Sequence, residues 1–266
     1  MLPVYRAISF NGIIEKGGRT KPWSVLVQTP QGVKPYVVKM FSDQLVHNRD
    51  SVTNEVLGYA LAKEFDLPVP QAALVEMDMD FQITINSADA QQAFDHADDR
   101  VKFATELIEG NYLFNPAFKK YQAAKMIELD MLYGFDNLIC NPDRGDGRPN
   151  LLVKSKSAWL IDHEQAFMID DNIITDFHAG HWDKRFSQYH IFRNYLRNSR
   201  KATKKEYFNT FGEYLRTMNV NNLHPYFQQL SNQGFSTDRH LLIKKWLREA
   251  KQNSFKFVTL LRGFIS

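Results

Sequence analysis

Apolar and polar positions change rhythm along this chain. Up to about residue 106 the apolar positions come in short β-branched and aromatic runs. Ser24–Val27 and Tyr36–Met40 flank the turn Thr29-Pro30-Gln31-Gly32, and Ala73–Met77, Phe81–Ile85 and Val101–Thr105 read as further strands. One helix interrupts them over residues 50–65. Val52, Val56, Tyr59, Ala60 and Lys63 recur at a 3–4 spacing, Asp50 or Ser51 serves as its cap, and Leu67-Pro68-Val69-Pro70 stops it. The polar, acidic stretch 87–99 reads as a mobile insertion. Beyond Glu106 the period lengthens. Lys119–Gly134 has a helical pattern, Phe135–Asn150 reads as loop, and Leu151–Val153 with Trp159–Ile161 reads as a hairpin. From residue 185 onward the pattern is helical, with breaks at Pro225 and Gly234. The expected fold is α+β and two-lobed: a β-rich lobe at 1–106 and a mainly helical lobe at 107–266. A small-molecule site is expected in the cleft between them.

Composition narrows the class. A length of 266 residues fits one large domain or two small ones at roughly 150 residues each. Aromatics at 13% exclude a disordered chain. A net charge of +3 is too mild to imply nucleic acid by itself, although a local basic patch remains open. The single cysteine, Cys140, rules out an intrachain disulfide and a multi-cysteine metal site. The first residues lack the apolar run and cleavage site of a signal peptide, and no apolar run reaches the ~20 residues of a membrane span. A soluble, cytoplasmic protein with no membrane partner is expected.

Candidate chemistry begins at Asp162, at the end of the apolar run in AWLIDHEQAF. Alone it reads as a turn or cap aspartate. Its neighbourhood changes the reading, because in FDNLICNPDRGDGRPNLLV, Asp143 and Asn150 flank a Gly/Pro-rich turn and Asn150 directly precedes a strand. A hairpin would bring Asn150 and Asp162 to one end. An amide oxygen beside a carboxylate suits Mg²⁺, and the remaining aspartate is left to orient a nucleophile. Earlier in the chain, Gly17-Gly18-Arg19-Thr20 precede a strand, where glycines admit phosphates to backbone N–H groups; an ordinary hairpin turn is the alternative. Lys39, in the apolar run YVVKMF, needs an anionic partner if its neighbours are core, and Glu55 of the following helix is the candidate.

Glycine turn, strand lysine, helix glutamate and the Asp–Asn–Asp set occur in an order that resembles the protein-kinase-like superfamily. The closer resemblance is to the HipA-like kinases, with their phosphoinositide-kinase-like catalytic loop. It rests on GGRTKPWSVLV, YVVKMF, NEVLGYALAKEFDLPVPQAALVEM, NPDRGDGRPNLLV and WLIDHEQAF, and spans roughly residues 10–168. The last hundred residues carry no motif that matches. The resemblance implies an ATP- and Mg²⁺-dependent phosphotransferase acting on a Ser or Thr hydroxyl of a protein. By it, Gly17 and Gly18 cover phosphates, Lys39 holds the α/β-phosphates and pairs with Glu55, and Glu106, Leu107 and Ile108 meet adenine. Asp143 is then the catalytic aspartate, and Asn150 and Asp162 bind Mg²⁺. HipA-like systems often pair the kinase with an antitoxin, so a regulatory protein partner is a further implication; the toxin role itself is not carried over.

The sequence departs from the common kinase pattern. The step from Asp143 to Asn150 is seven residues, where eukaryotic-type kinases use five, which leaves Asp146 as a rival base. His163-Glu164 follow Asp162 in place of Phe-Gly, and the glycine turn is short. A lipid or small-molecule kinase, or a nucleotide-binding pseudokinase scaffold, are the alternative readings. Asp238-Arg239-His240 copies a phosphoinositide-kinase triplet but reads as a helix start capped by Thr237 or Asp238. His178 and His181, with Asp176 and Asp183, are weak as a metal set and read as a substrate-facing loop. Arg193, Arg197, Arg200, Lys201, Lys204 and Lys205 read as a solvated helix and linker face, with nucleic acid or an acidic protein as the alternative contact. Cys140 reads as a small core residue.

Overall fold

The computed structural model describes residues 1–15 and 21–266, so Gly17 and Gly18 lie outside the described residues. In chain order the elements begin with β1 (Val4–Ile13), β2 (Trp23–Thr29), β3 (Gly32–Val38), α1 (Asp43–Arg49) and α2 (Ser51–Glu64). They continue with β4 (Ala72–Glu76), α3 (Met79–Gln82), α4 (Ala88–Asp95), β5 (Lys102–Glu106), β6 (Tyr112–Leu113), α5 (Lys120–Ala123) and α6 (Leu129–Leu138). The hairpin β7 (Leu151–Lys154) and β8 (Ser157–Leu160) follows. After it come α7 (Ile173–Ala179), α8 (Lys184–Ser187), α9 (Arg193–Arg197), α10 (Lys201–Glu206) and α11 (Asn209–Thr217). The chain closes with α12 (His224–Asn232), α13 (His240–Gln252) and α14 (Ser254–Phe264). The β-rich N-terminal region and helical C-terminal region make an α+β architecture. Two compact units form: Met1–Leu57 with Pro70–Glu109 and Pro225–Thr237, and Gly58–Val69 with Gly110–His224 and Asp238–Ser266.

The first unit is built on a closed barrel in the order β1-β2-β3-β5-β4. β2 alternates buried and partly exposed positions, the period-two signature of a strand with one face inward. Trp23, Val25, Val27, Phe10, Val38 and Ala104 fill the interior, with Phe10 edge-on to Trp23 at 4.9 Å between ring centroids. Two expectations fail here. Phe81–Ile85 is not a strand: Asp78 caps α3 by accepting the Phe81 N–H at 3.0 Å, and Thr84 donates to the Phe81 carbonyl, which turns the chain helical. Residues 87–99 are not a loose insertion either. Ser87 caps α4, and Ala90, Ala93 and Phe94 pack on the barrel interior cluster. The sparse apolar residues of that stretch fall on one helical face, which is sufficient to dock it.

In the second unit α6 is buried along almost its whole length. Trp246 donates to the Leu138 carbonyl at 2.8 Å and Trp182 to Asn137 Oδ1 at 3.1 Å, so both indoles bury their rings with the N–H satisfied. The single helix expected over 119–134 is two helices, α5 and α6. The chain between them is pinned by the Ala158 N–H on the Met126 carbonyl, and Glu128 is extended at the start of α6. α6 then runs on through residues expected to be loop, to Leu138. Gly58, inside α2, lets that helix approach His163: a Cβ there would stand 2.5 Å from the His163 Cβ.

Candidate active site

In the first unit, Lys39 follows β3 directly and stays tied to the sheet through its N–H on the Phe103 carbonyl at 3.0 Å. Its Nζ stands 3.1 Å from Glu55 Oε1 of α2, with Glu55 only 1% exposed. A buried carboxylate needs a countercharge, so the pair fixes the lysine head relative to α2. α2 is opened by Asp50, left-handed at φ 52°, which ends α1 and accepts the Asn54 N–H at 2.8 Å. At the end of β5, the N–H groups of Glu106 and Leu107 donate to the carbonyls of Gln71 (2.8 Å) and Pro35 (3.0 Å), and Glu106 pairs with Lys34 at 3.0 Å. In the segment expected to meet adenine, two of the three backbone N–H groups are therefore engaged within this unit. The same unit brings Asp43, His47 and Asp98 together as a group that could hold a metal ion. Asp43 and His47 lie on exposed α1, however, and Arg100 already binds the Asp98 carboxylate at 2.9 Å.

The second unit carries the Asp–Asn–Asp set. The loop after α6 is braced from within by Asp136, which is fully buried. Its Oδ2 accepts Arg144 Nε at 2.6 Å and His190 Nε2 at 3.0 Å, and its Oδ1 accepts Asn141 Nδ2 at 3.1 Å. Arg144 also donates to the carbonyls of Pro149 (3.3 Å) and Asn150 (2.5 Å), so one guanidinium clasps both ends of the loop. Burial opposes charge on Asp136, but Arg144 and the His190 hydrogen bond outweigh it and hold the carboxyl at about 2. His190 donates through Nε2 while its Nδ1 accepts the Phe192 N–H at 3.1 Å, which fixes the neutral ring; burial lowers its pKa.

On this frame Asn141 Oδ1 accepts the Asp143 N–H at 3.1 Å, turning Asp143 out of the loop. Asp143 is 13% exposed, ion-paired to Arg148 at 2.9 Å. Burial raises its pKa, Arg148 opposes the rise, and the charge of Asp162 adds to it. Asp146 instead sits exposed in the tight turn closed by Gly145 and Arg148. Asn150 donates through Nδ2 to the Asp143 carbonyl at 2.8 Å, which turns its side-chain oxygen away as an acceptor. The hairpin places Asn150 and Asp162 at the same end, since the Ile161 N–H meets the Asn150 carbonyl at 3.1 Å and Leu151 faces Leu160. Asn150 (φ 46°) and Asp162 (φ 64°) both hold the left-handed conformation, a strain short polar side chains bear best. An amide oxygen and a carboxylate there form a hard-oxygen donor set that fits Mg²⁺.

Residues 14–252 match the family model described as HipA-like kinase. The chain belongs to the HipA-like kinase family. The match runs far beyond the motifs legible before residue 168, through most of the helical region. A crystal structure of a Helicobacter pylori proinflammatory kinase, CtkA, aligns at a TM-score of 0.49 and 13% identity, covering 100% of this chain and 98% of that one. No curated protein matches the sequence.

In this family member, Asp136, Arg144, Arg148 and His190 escaped the sequence reading; the one available signal was an arginine directly after the candidate base. The Asp238–His240 triplet does open a helix, α13, but the cap position falls on Arg239 and not on Thr237 or Asp238. There Arg239 makes no capping bond and donates to the Phe167 carbonyl. His178 pairs with Glu249 at 2.8 Å. Cys140 is fully buried, and burial pushes its thiol up. No helix among the described residues is long and apolar enough to cross a membrane.

Proposed function

We propose that this chain is a phosphotransferase that passes the γ-phosphate of ATP to a Ser or Thr hydroxyl of a protein. The observation that carries the reading is Asp143. It is a half-buried carboxyl held by Arg148, by its own N–H on Asn141 and by Asn150, beside a second carboxylate, Asp162. In the proposed step Asp143 takes the acceptor hydroxyl proton as the acceptor oxygen bonds to phosphorus and the bond to the ADP oxygen breaks. A raised pKa suits a group that must accept a proton near neutral pH. Asn150 and Asp162 would hold Mg²⁺, which when bound neutralises phosphate charge. Lys39, fixed by Glu55, would position the phosphates. A regulatory protein partner belongs to the proposal through family membership alone.

The test compares Asp143→Asn with Asp146→Asn in radiolabelled phosphate transfer and in Mg-ATP binding. Asp143→Asn is expected to keep nucleotide binding and lose transfer by at least ~100-fold, since general-base assistance contributes about that much. Asp146→Asn should keep most activity. An inactive Asp146→Asn beside an active Asp143→Asn would reassign the base.

A further inference from the structure

Positive charge on this chain is concentrated in one stretch. From Lys184 to Lys205 there are eight basic residues and no acidic one; 33 basic residues less these eight leave 25 for the remainder, against 30 acidic. Arg185 is neutralised by Asp183 at 2.6 Å. Arg197, Arg200, Lys201, Lys204 and Lys205, by contrast, make no ion pair among the described residues. Lys201, Lys204 and Lys205 are three and four apart on α10 and so share a face, and α10 buries none of its residues.

This surface is held firmly, and the chain leading into it runs along the candidate catalytic loop. The Tyr195 hydroxyl donates to the Pro116 carbonyl at 3.1 Å, and Lys120 Nζ donates to the Tyr207 hydroxyl at 2.6 Å, tying α9 and α10 down at both ends. The chain entering α9 runs along the loop that carries Asp143: the Ile191 N–H meets the Arg144 carbonyl at 2.9 Å, and the Tyr189 carbonyl lies 3.1 Å from where a Cβ on Gly145 would be.

We propose that α9 and α10 dock an acidic stretch of the polypeptide that carries the acceptor hydroxyl, an assignment that rests on the phosphotransfer reading above. Unpaired cations of one sign beside a reaction centre steer and hold an oppositely charged chain. A protein fits better than nucleic acid. Tyr195 is the single aromatic between Arg193 and Lys205 and its hydroxyl is turned inward, so α9 and α10 carry no series of rings for successive bases to stack on, and the exposed Tyr189 before them is a lone ring.

The test uses the full chain and fluorescein-labelled peptides with one serine flanked either by Asp/Glu or by Asn/Gln, with an oligoribonucleotide of equal charge as comparator. Anisotropy without nucleotide reads binding; transfer with Mg-ATP is measured separately. The acidic peptide is expected to bind about tenfold more tightly than the neutral one, a preference that falls as salt rises from about 50 to about 300 mM. The variant Lys201→Glu/Lys204→Glu/Lys205→Glu should abolish the preference and leave transfer to the neutral peptide unchanged. The milder Lys→Gln triple variant should reduce it, and thermal unfolding checks that both are folded. Equal binding of the two peptides, a preference surviving charge reversal, or tighter binding of the oligoribonucleotide would each overturn the proposal. Binding that depends on α10 without transfer to any peptide would remove the phosphotransfer reading and leave the docking surface standing.

Discussion

Replacing Asp136 with Asn keeps the shape of the side chain and removes the charge on which the loop frame depends. The carboxylate accepts three donors, from Arg144, His190 and Asn141, and both Asp136 and Arg144 are fully buried. Whichever way the new amide turns, its NH₂ faces a donor, and the Arg144 charge is left inside without a counterion. Breaking a buried pair in this way costs about 3–5 kcal/mol. At roughly 2–4 °C per kcal/mol for a domain of this size, melting should fall by roughly 6–20 °C. Asp136→Leu with Arg144→Met, which removes both charges, should cost less than Asp136→Asn alone. The acid dependence has a definite sign. The folded carboxyl is held at about 2 against an ordinary 3.8, so its stabilisation is complete above about pH 4 and is lost as pH falls toward 2. That difference corresponds to roughly 2–3 kcal/mol. Asp136→Asn should lack this part of the acid slope. Urea unfolding at a series of pH values measures both effects. A variant within about 1 kcal/mol of the parent at pH 7, or one with an unchanged acid slope, would show that the network does not carry the frame.

Asp162→Ala should abolish the Mg²⁺-dependent part of an ATP-induced thermal shift, and Asn150→Ala should weaken it less, because a neutral oxygen binds a divalent ion less strongly than a carboxylate; an unaltered shift in Asp162→Ala removes that residue from the metal role. Lys39→Met strands the buried Glu55 carboxylate and should lower both stability and transfer, while adding Glu55→Gln should recover part of the stability. Additive effects in that cycle would mean the two do not couple. Gly58→Ala, a change that in an exposed helix interior stabilises by about 1 kcal/mol, should here destabilise by about 1–3 kcal/mol, because the new methyl would meet His163 at 2.5 Å. A rise in melting temperature would show that His163 gives way.

Local patterns decided a good deal by themselves. The alternation in β2 and the turn before β3 depend on neighbours in sequence, and so does the β7–β8 hairpin that carries Asn150 and Asp162 to one end. The spacing of Asp143, Asn150 and Asp162 was legible for the same reason: few residues separate them, and two short strands determine their relation. Other features were beyond local reading. Phe81–Ile85 has the composition of a strand, yet an aspartate three residues before Phe81 captures its N–H and starts a helix. Within the acidic stretch 87–99, Ala88–Asp95 forms a helix that docks because the barrel offers Ala90 and Phe94 an apolar surface. Arg144 next to Asp143 resembles a solvent-facing loop residue, and nothing adjacent reveals that it is buried. Its countercharge lies one helix earlier, and the histidine that completes the set is 54 residues from Asp136. A charge enters a protein interior only where the assembled fold supplies its partners, so the frame of the candidate catalytic loop was decided by tertiary structure, while the groups that frame presents were already written in the sequence.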